Sequence, residues 1–252
     1  MIDEIEKLDI VAVYRIKNEE RWIAKSLESA SEICTKIVIL DDGSTDNTIK
    51  ICKSFNKVIK IHEQRGLPFD EVRDKNILLR MALDLKPGFI LSLDGDEIIQ
   101  PHASDLLFED LSILYPDVSL FEFQSLFIWD KPNQFRCDGV YGSIWYKRLM
   151  RMYGQSGDLH YENTKYPGNA HSTRLPQNAK DWNNPIRGKI KIFHYGYYDE
   201  PMRRQKYEFY NHLDPKNTDF DGYVHILGKG KFSGPDGIKI KTIPDEVFMP
   251  IT

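Results

Sequence analysis

Residues 90–99 read Ile90-Leu91-Ser92-Leu93-Asp94-Gly95-Asp96-Glu97-Ile98-Ile99. An apolar run stops abruptly in three carboxylates set around one glycine. A run of this length suits a buried strand. Acids clustered at its end can hold a hard divalent cation, which takes oxygen ligands. A cation there can in turn hold phosphates, so the residues upstream are read for a nucleotide site.

Strand and helix signals alternate upstream. Ile10–Ile16 is a β-branched strand, and Asn18–Ile33 carries Trp22, Ile23, Leu27, Ala30 and Ile33 at helical spacing. Lys36–Leu40 is a second strand that stops at Asp41-Asp42-Gly43-Ser44. Ser44 or Thr45 can cap the helix that follows, in which Thr48, Ile49, Cys52 and Phe55 share a face. Val58–His62 is a third strand, Phe69–Leu85 a helix closed by Lys86-Pro87-Gly88, and Phe89–Leu93 the fourth strand. This β-α-β-α-β-α-β order predicts an α/β fold with an open, mostly parallel sheet covered on both faces. Ligands of such sheets bind beyond the carboxyl ends of the strands. Asp41-Asp42 and Asp94-Gly95-Asp96 both fall there.

Downstream, 104–114 reads as helix and Val118–Trp129 as a long strand. Residues 130–188 are rich in aromatic, Gly, Pro and Asn residues with little period. Glu200–His212 is helical again, and the last thirty residues read as a weak extension or a flexible tail.

Composition sets bounds. The chain has 252 residues, enough to bury a sizeable core. A net charge of -4 gives no global attraction to nucleic acid or anionic lipid. Cys34, Cys52 and Cys137 are scattered and odd in number, which points to a reducing cytosol rather than a disulfide framework. The opening MIDEIEKLDI has no signal-peptide pattern, and no stretch approaches the ~20 apolar residues a bilayer span requires. The expectation is a cytoplasmic protein with at most peripheral contact with the inner face of a membrane.

Four motifs, in order, resemble family 2 glycosyltransferases. They are Tyr14-Arg15-Ile16-Lys17-Asn18-Glu19-Glu20, Val38-Ile39-Leu40-Asp41-Asp42-Gly43-Ser44-Thr45-Asp46, Arg73-Asp74, and Leu93-Asp94-Gly95-Asp96-Glu97, the last in the Asp-x-Asp-Glu form of one subgroup. The resemblance covers residues 9–100 well and thins afterwards. It implies a GT-A fold, Rossmann-like and flanked by helices, with an elaborated carboxyl-terminal acceptor region. It also implies a nucleotide-sugar donor, UDP-sugar being the first choice, and inversion at the anomeric carbon. The domain expected is 1–222, with a nucleotide-sugar half (1–100) and an acceptor half (101–222), followed by an extension (223–252).

The same resemblance distributes roles. Arg15, Ile16, Asn18, Glu19 and Asp42 hold the nucleoside, with helix capping or a plain turn as the competing readings of Asn18, Glu19 and Asp42. Arg73 leans on ribose or phosphate. Asp94 meets ribose and metal, Gly95 permits close backbone approach, and Asp96 binds Mn2+ or Mg2+ directly, which stabilises the departing diphosphate. Glu97 orients a metal-bound water or the acceptor. His194, in Phe193-His194-Tyr195-Gly196, completes the metal shell or packs at a strand end. Arg203 and Lys206 can pair with phosphates or form a solvated helix face. Lys17 and Lys75 read as surface charges. A base must deprotonate the acceptor hydroxyl. Glu162, in His160-Tyr161-Glu162, is the first candidate and Asp138 the second. The acceptor implied is a glycan, a lipid-linked sugar or a protein.

Two other classes compete. One is a non-catalytic sugar- or partner-binding module on the same fold. The other is a phosphatase of the haloacid dehalogenase type, which expects its Asp-x-Asp near the first strand and a Thr or Val soon after; here the motif ends the fourth strand and Glu97 follows. Nucleotidyl transfer is disfavoured because no glycine-rich, basic loop follows the first strand.

Overall fold

Strand β1 (Ile10–Ile16) lies in the middle of the parallel layer, and its side chains alternate between two cores. Ile10, Ala12, Tyr14 and Ile16 pack with Ile23, Leu27 and Ala30 of helix α1 (Ile23–Ser31). Val11 and Val13 pack on the other face with Val72, Leu78, Leu79 and Ala82 of α3 (Glu71–Leu83). A strand buried on both faces has no polar side to show, which is why residues 10–14 are continuously apolar, and Arg15 appears only where the strand ends at the sheet edge. The computed structural model describes residues 8–114, 118–219, 221–233 and 237–248.

β1 pairs in parallel with β2 (Lys36–Asp41) and β4 (Phe89–Asp94), and β2 with β3 (Val58–Glu63). The order β3-β2-β1-β4 reverses direction at β1, so a crevice opens beyond the carboxyl ends at that switch point. Register fixes what meets there: Ile16 is opposite Asp41 on one side, and Arg15 opposite Asp94 on the other.

Two helix starts differ from the sequence expectation. α1 begins at Ile23, not Asn18, because residues 18–20 serve the neighbouring loop instead. Asn18 takes φ 54°, a left-handed conformation that Asn tolerates. Its N–H donates to Ser44 Oγ (2.9 Å), and its Oδ1 accepts from the Thr45 N–H (2.8 Å). The Glu19 N–H donates to Thr48 Oγ1 (2.7 Å). Ser44 and Thr45 therefore do not cap α2 (Thr48–Cys52); Asp46 Oδ1 accepts the Thr48 N–H instead. α3 is capped by Asp70, whose side chain accepts from the Arg73 N–H.

Beyond β4 the sheet turns mixed. A short β5 (Glu97–Ile99) precedes α4 (Ala103–Leu114), then β6 (Leu120–Trp129), β7 (Lys131–Arg136), β8 (Ile144–Arg151) and β9 (Ile186–His194). β8 runs antiparallel between β4 and β6, while β9 pairs in parallel with β6 and antiparallel with β5. The stretch expected to be irregular thus holds β7, β8 and the start of β9. β7 carries Pro132, which argues against a strand. β8 hides its period because it buries Arg148 and Arg151 where apolar residues are normally found. α5 (Glu200–Leu213) follows β9, and Asp199 caps it by accepting the Met202 N–H.

The chain's last portion is part of the sheet. β10 (Ile240–Thr242) pairs antiparallel with β7, and Ile243 is fully buried beside Trp22 and Tyr195. Cys34, Cys52 and Cys137 are free thiols; burial pushes Cys34 and Cys52 up to about 12. Among the described residues no helix is long and apolar enough to cross a membrane.

Candidate active site

The carboxyl ends of β1, β2 and β4 gather alternating charges. Arg15 bridges two acids: Nη2 donates to Asp42 (2.9 Å) and Nε to Asp74 (2.8 Å), with the guanidinium over the Phe69 ring. The Gln64 amide donates to both Asp42 (3.0 Å) and Asp74 (2.9 Å). Arg73 donates to the fully buried Asp74 and to the Pro68 carbonyl. Asp41, next in sequence to Asp42, is used up locally by the Ser44 N–H and hydroxyl. Asp42 is 6% exposed, with one oxygen accepting from Arg15 and the other from Gln64, so its orientation at the sheet edge is fixed from both sides.

The Asp94-Gly95-Asp96-Glu97 turn is built around a buried ion pair. Glu97 receives both ends of the Arg148 guanidinium (2.6 and 2.7 Å), both residues being almost wholly buried. Burial raises the Glu97 carboxyl, but the charges of Arg148 and Arg174 outweigh it and hold the group well below the usual carboxylate range. Its Oε2 also accepts the Asp94 N–H (2.9 Å). Glu97 is therefore not placed to orient water or acceptor; it shapes the turn that aims Asp94 and Asp96. Gly95 is required by Glu19, since a Cβ there would lie 2.7 Å from Glu19 Cγ. Burial, then the nearby Asp96, pushes the Glu19 carboxyl well up.

Each acid of the pair meets a base from the carboxyl-terminal half. Arg174 forms an ion pair with Asp94. Lys206, on α5, donates to Asp96 Oδ2 (2.9 Å). Asp96 is 3% exposed, and its other oxygen has no hydrogen-bond partner. His194 stands beside it, Nδ1 lying 3.5 Å from both Asp96 Oδ1 and Glu97 Oε1, with no hydrogen bond formed to either. A buried carboxylate oxygen and an imidazole nitrogen side by side, both unmet, suit Mn2+ or Mg2+. Asp94 faces Arg174, and among the described residues no group of three His, Cys, Asp or Glu is closed around one point. An ion here would thus meet two protein groups, which leaves room for phosphate oxygens, as Mg2+ sites use them.

Lys75 is not a surface charge. It is buried, which lowers it below an ordinary lysine, and its ammonium donates to Glu71 and to the Ser172 and Thr173 carbonyls (3.0 and 2.8 Å). It pins the loop that delivers Arg174. Lys17 is exposed, 3.7 Å from Asp42.

A cavity of about 510 Å³ adjoins this edge, reached by Asp94, Arg174, His194 and Lys206. Its remaining wall includes Trp145, Tyr146, Trp182, Tyr210 and Tyr223, and the acids Glu71 and Glu122. The residues expected to supply the base are not brought to it. Glu162 is exposed on a loop outside the lining. Asp138 is tied to the buried Arg136 (2.8 Å) and the Lys239 N–H; burial raises its carboxyl, but Arg136 outweighs that and lowers it. Tyr223, His225 and Ile226 line the cavity, so a boundary at 222/223 would cut through its wall. Sequence reading missed Gln64, Asp74 as a hub, Arg148 and Arg174. None sits in a recognisable motif beyond the Arg73-Asp74 pair, and Arg148 and Arg174 are paired across 51 and 80 residues of chain.

A family model described as glycosyl transferase family 2 matches residues 12–175. The chain belongs to that family, and its mixed α/β sheet with the β3-β2-β1-β4 parallel layer is the GT-A arrangement. Among curated proteins it is 30% identical over 92 residues to an uncharacterized protein of Methanocaldococcus jannaschii, covering 34% of this chain and 40% of that one. It is 27% identical over 89 residues to an uncharacterized glycosyltransferase of Rickettsia typhi, covering 35% and 28%. The chain thus spans less than half the length of these relatives. Among solved structures, S. aureus TarS matches with a TM-score of 0.46 at 14% identity, over 87% of this chain and 42% of that one. Glucosyl-3-phosphoglycerate synthase from Mycobacterium tuberculosis, solved with Mn2+, UDP and glucosyl-3-phosphoglycerate, matches with a TM-score of 0.36 at 21% identity, over 50% and 48%.

Proposed function

We propose that this chain transfers a sugar from a nucleotide diphosphate sugar, UDP-sugar first among them, to an acceptor hydroxyl with inversion. The observation that carries the reading is the meeting of Asp42, Asp94 and Asp96 at one sheet edge, beside a cavity roomy enough for a sugar. Family membership supplies the reaction type, and the site's own groups supply the division of labour.

Asp42, braced by Arg15 and Gln64, accepts a hydrogen bond from the base edge, and the backbone of Arg15 and Ile16 lies alongside. Arg73 reaches ribose or phosphate from the start of α3. Asn18 and Glu19 act on the nucleoside indirectly, by stapling the loop after β1 to the loop after β2. Asp96 and His194 would hold Mn2+ or Mg2+, with Asp94 completing the set once it leaves Arg174. A metal bound there neutralises charge on the departing diphosphate. Arg174 and Lys206 bring two further positive charges to the same place.

The acceptor hydroxyl must lose a proton to a carboxylate. Glu122 lines the cavity, with its nearest cations at 3.5 and 3.7 Å, whereas Glu162 and Asp138 lie off it. We therefore assign the base to Glu122. Glu122→Gln should lose transfer while keeping UDP affinity. Glu162→Gln losing more than Glu122→Gln would return the role to Glu162. The acceptor is a glycan, lipid-linked sugar or protein, met on the cytoplasmic side.

Calorimetry with UDP in Mn2+, Mg2+ and chelator tests the core of the reading. UDP should bind with metal and lose most of its affinity in chelator; no binding under any of the three conditions rejects a UDP-sugar donor.

A further inference from the structure

Lys206 occupies a particular place. Its ammonium, Asp96 Oδ2 and His194 Nε2 converge over Gly196, where a Cβ would lie 2.1, 2.3 and 2.9 Å from them. Only glycine leaves that point open, and the lysine fills it. The ammonium satisfies one oxygen of Asp96 and leaves the other, with His194 Nδ1, buried and unpartnered. A buried carboxylate is thus hydrogen-bonded on one side, while its other oxygen has only His194 Nδ1 nearby, at 3.5 Å. The Tyr197 ring lies under the same ammonium, 4.9 Å from its centroid. Lys206 also lines the cavity, so its flexible four-carbon stem can carry the charge off Asp96 without unfolding the helix.

A divalent ion at Asp96 and His194 would face the ammonium at close range, and like charges in a poorly solvated site repel strongly. The ion therefore gains Asp96 fully only if the lysine leaves, and the lysine leaves readily only if another anion receives it. A diphosphate in the cavity is such an anion. We propose that Lys206 is the resident counter-ion of Asp96 and a gate on metal loading. Metal alone binds weakly, while metal and nucleotide diphosphate together displace the ammonium, which transfers to the diphosphate. This rests on the nucleotide-sugar reading above and adds an order to it. The coupling is reciprocal, so nucleotide must tighten metal as much as metal tightens nucleotide.

Titration of Mn2+ followed by its electron paramagnetic resonance signal, with and without UDP, reads this directly. In the wild-type chain UDP should tighten Mn2+ about ten-fold or more. In Lys206→Met, Mn2+ alone should bind about ten-fold tighter than to wild type, and the effect of UDP should shrink about ten-fold, to what phosphate coordination of the ion supplies by itself. Lys206→Arg, which keeps a charge, should retain the coupling. Mn2+ binding no tighter in Lys206→Met, or a UDP effect of undiminished size, overturns the gate while leaving the donor assignment standing. Should Lys206→Met fail to fold, wild type decides: equal Mn2+ affinity with and without UDP overturns it. Absence of UDP binding by calorimetry in every variant removes both proposals together.

Discussion

Two buried arginine–carboxylate pairs stand on either side of this site and do different things. Arg148–Glu97 lies under the Asp94-Gly95-Asp96 turn, and Glu97 also accepts the Asp94 N–H. Arg136–Asp138 lies in the carboxyl-terminal half, enclosed by the Trp129 and Tyr141 rings, and reaches the His225 carbonyl and the Lys239 N–H. The first pair shapes the proposed donor site from residues that a short motif nearly specifies. The second clamps β10 and the 3-10 segment Asp221–Leu227 (which lines the cavity) onto the sheet. Equal burial and similar geometry thus brace the Asp94-Gly95-Asp96 turn on one side, and the wall of the cavity on the other.

Several changes would break or sharpen that contrast. The largest effect is expected for Asp96→Asn, which should cut transfer about a thousand-fold with an unchanged circular dichroism spectrum; retained turnover would remove Asp96 from the chemistry. Next come the matched arginines. Arg148→Met and Arg136→Met should each destabilise the fold by about 3–5 kcal/mol, since each leaves a buried carboxylate unpaired. Urea denaturation measures both, and calorimetry should separate them. UDP affinity should vanish with Arg148 and survive loss of Arg136; equal loss in both would erase the distinction.

A smaller effect concerns pH. Burial raises the Glu19 carboxyl above its ordinary value of 4.5, so folding is penalised once the unfolded chain ionises. Glu19→Gln should therefore raise Tm at pH 7, with the gain disappearing as pH falls below 4.5. Asp138 has the opposite sign. Its carboxyl lies below the ordinary 3.8, so the stability it contributes is whole above that pH and is lost as pH falls through the lower folded value. Thermal melts of Asp138→Asn across pH 2 to 7 should converge on wild type only at the acid end. Convergence at neutral pH would show that the Arg136 pair contributes nothing.

The amino-terminal half was legible because its contacts are short-range consequences of strand ends. Once β1, β2 and β4 are parallel and in register, Asp42 and Asp94 must share an edge, whatever the rest of the chain does. Helix caps were less legible. Ser44 and Asp46 compete for similar roles, and the winner depends on Asn18 adopting a left-handed conformation to reach across. In the carboxyl half, β8 was hidden because its inward side chains include Arg148 and Arg151, which periodicity counts as solvent-facing. Lys75 was misread for the same reason: a charged residue on a helix reads as surface until two distant carbonyls bury it.

By itself, the amino-acid sequence determined the α/β layer, the family and the acids at the carboxyl ends of the strands, because hydrophobic period and strand-end motifs act over a few residues. Only the tertiary structure decided what those acids touch. Arg174 on Asp94, Lys206 on Asp96 and Arg148 on Glu97 join positions 80, 110 and 51 residues apart. Electrostatic pairing across such distances depends on how the carboxyl-terminal strands and α5 fold back over the sheet, and no local pattern encodes it.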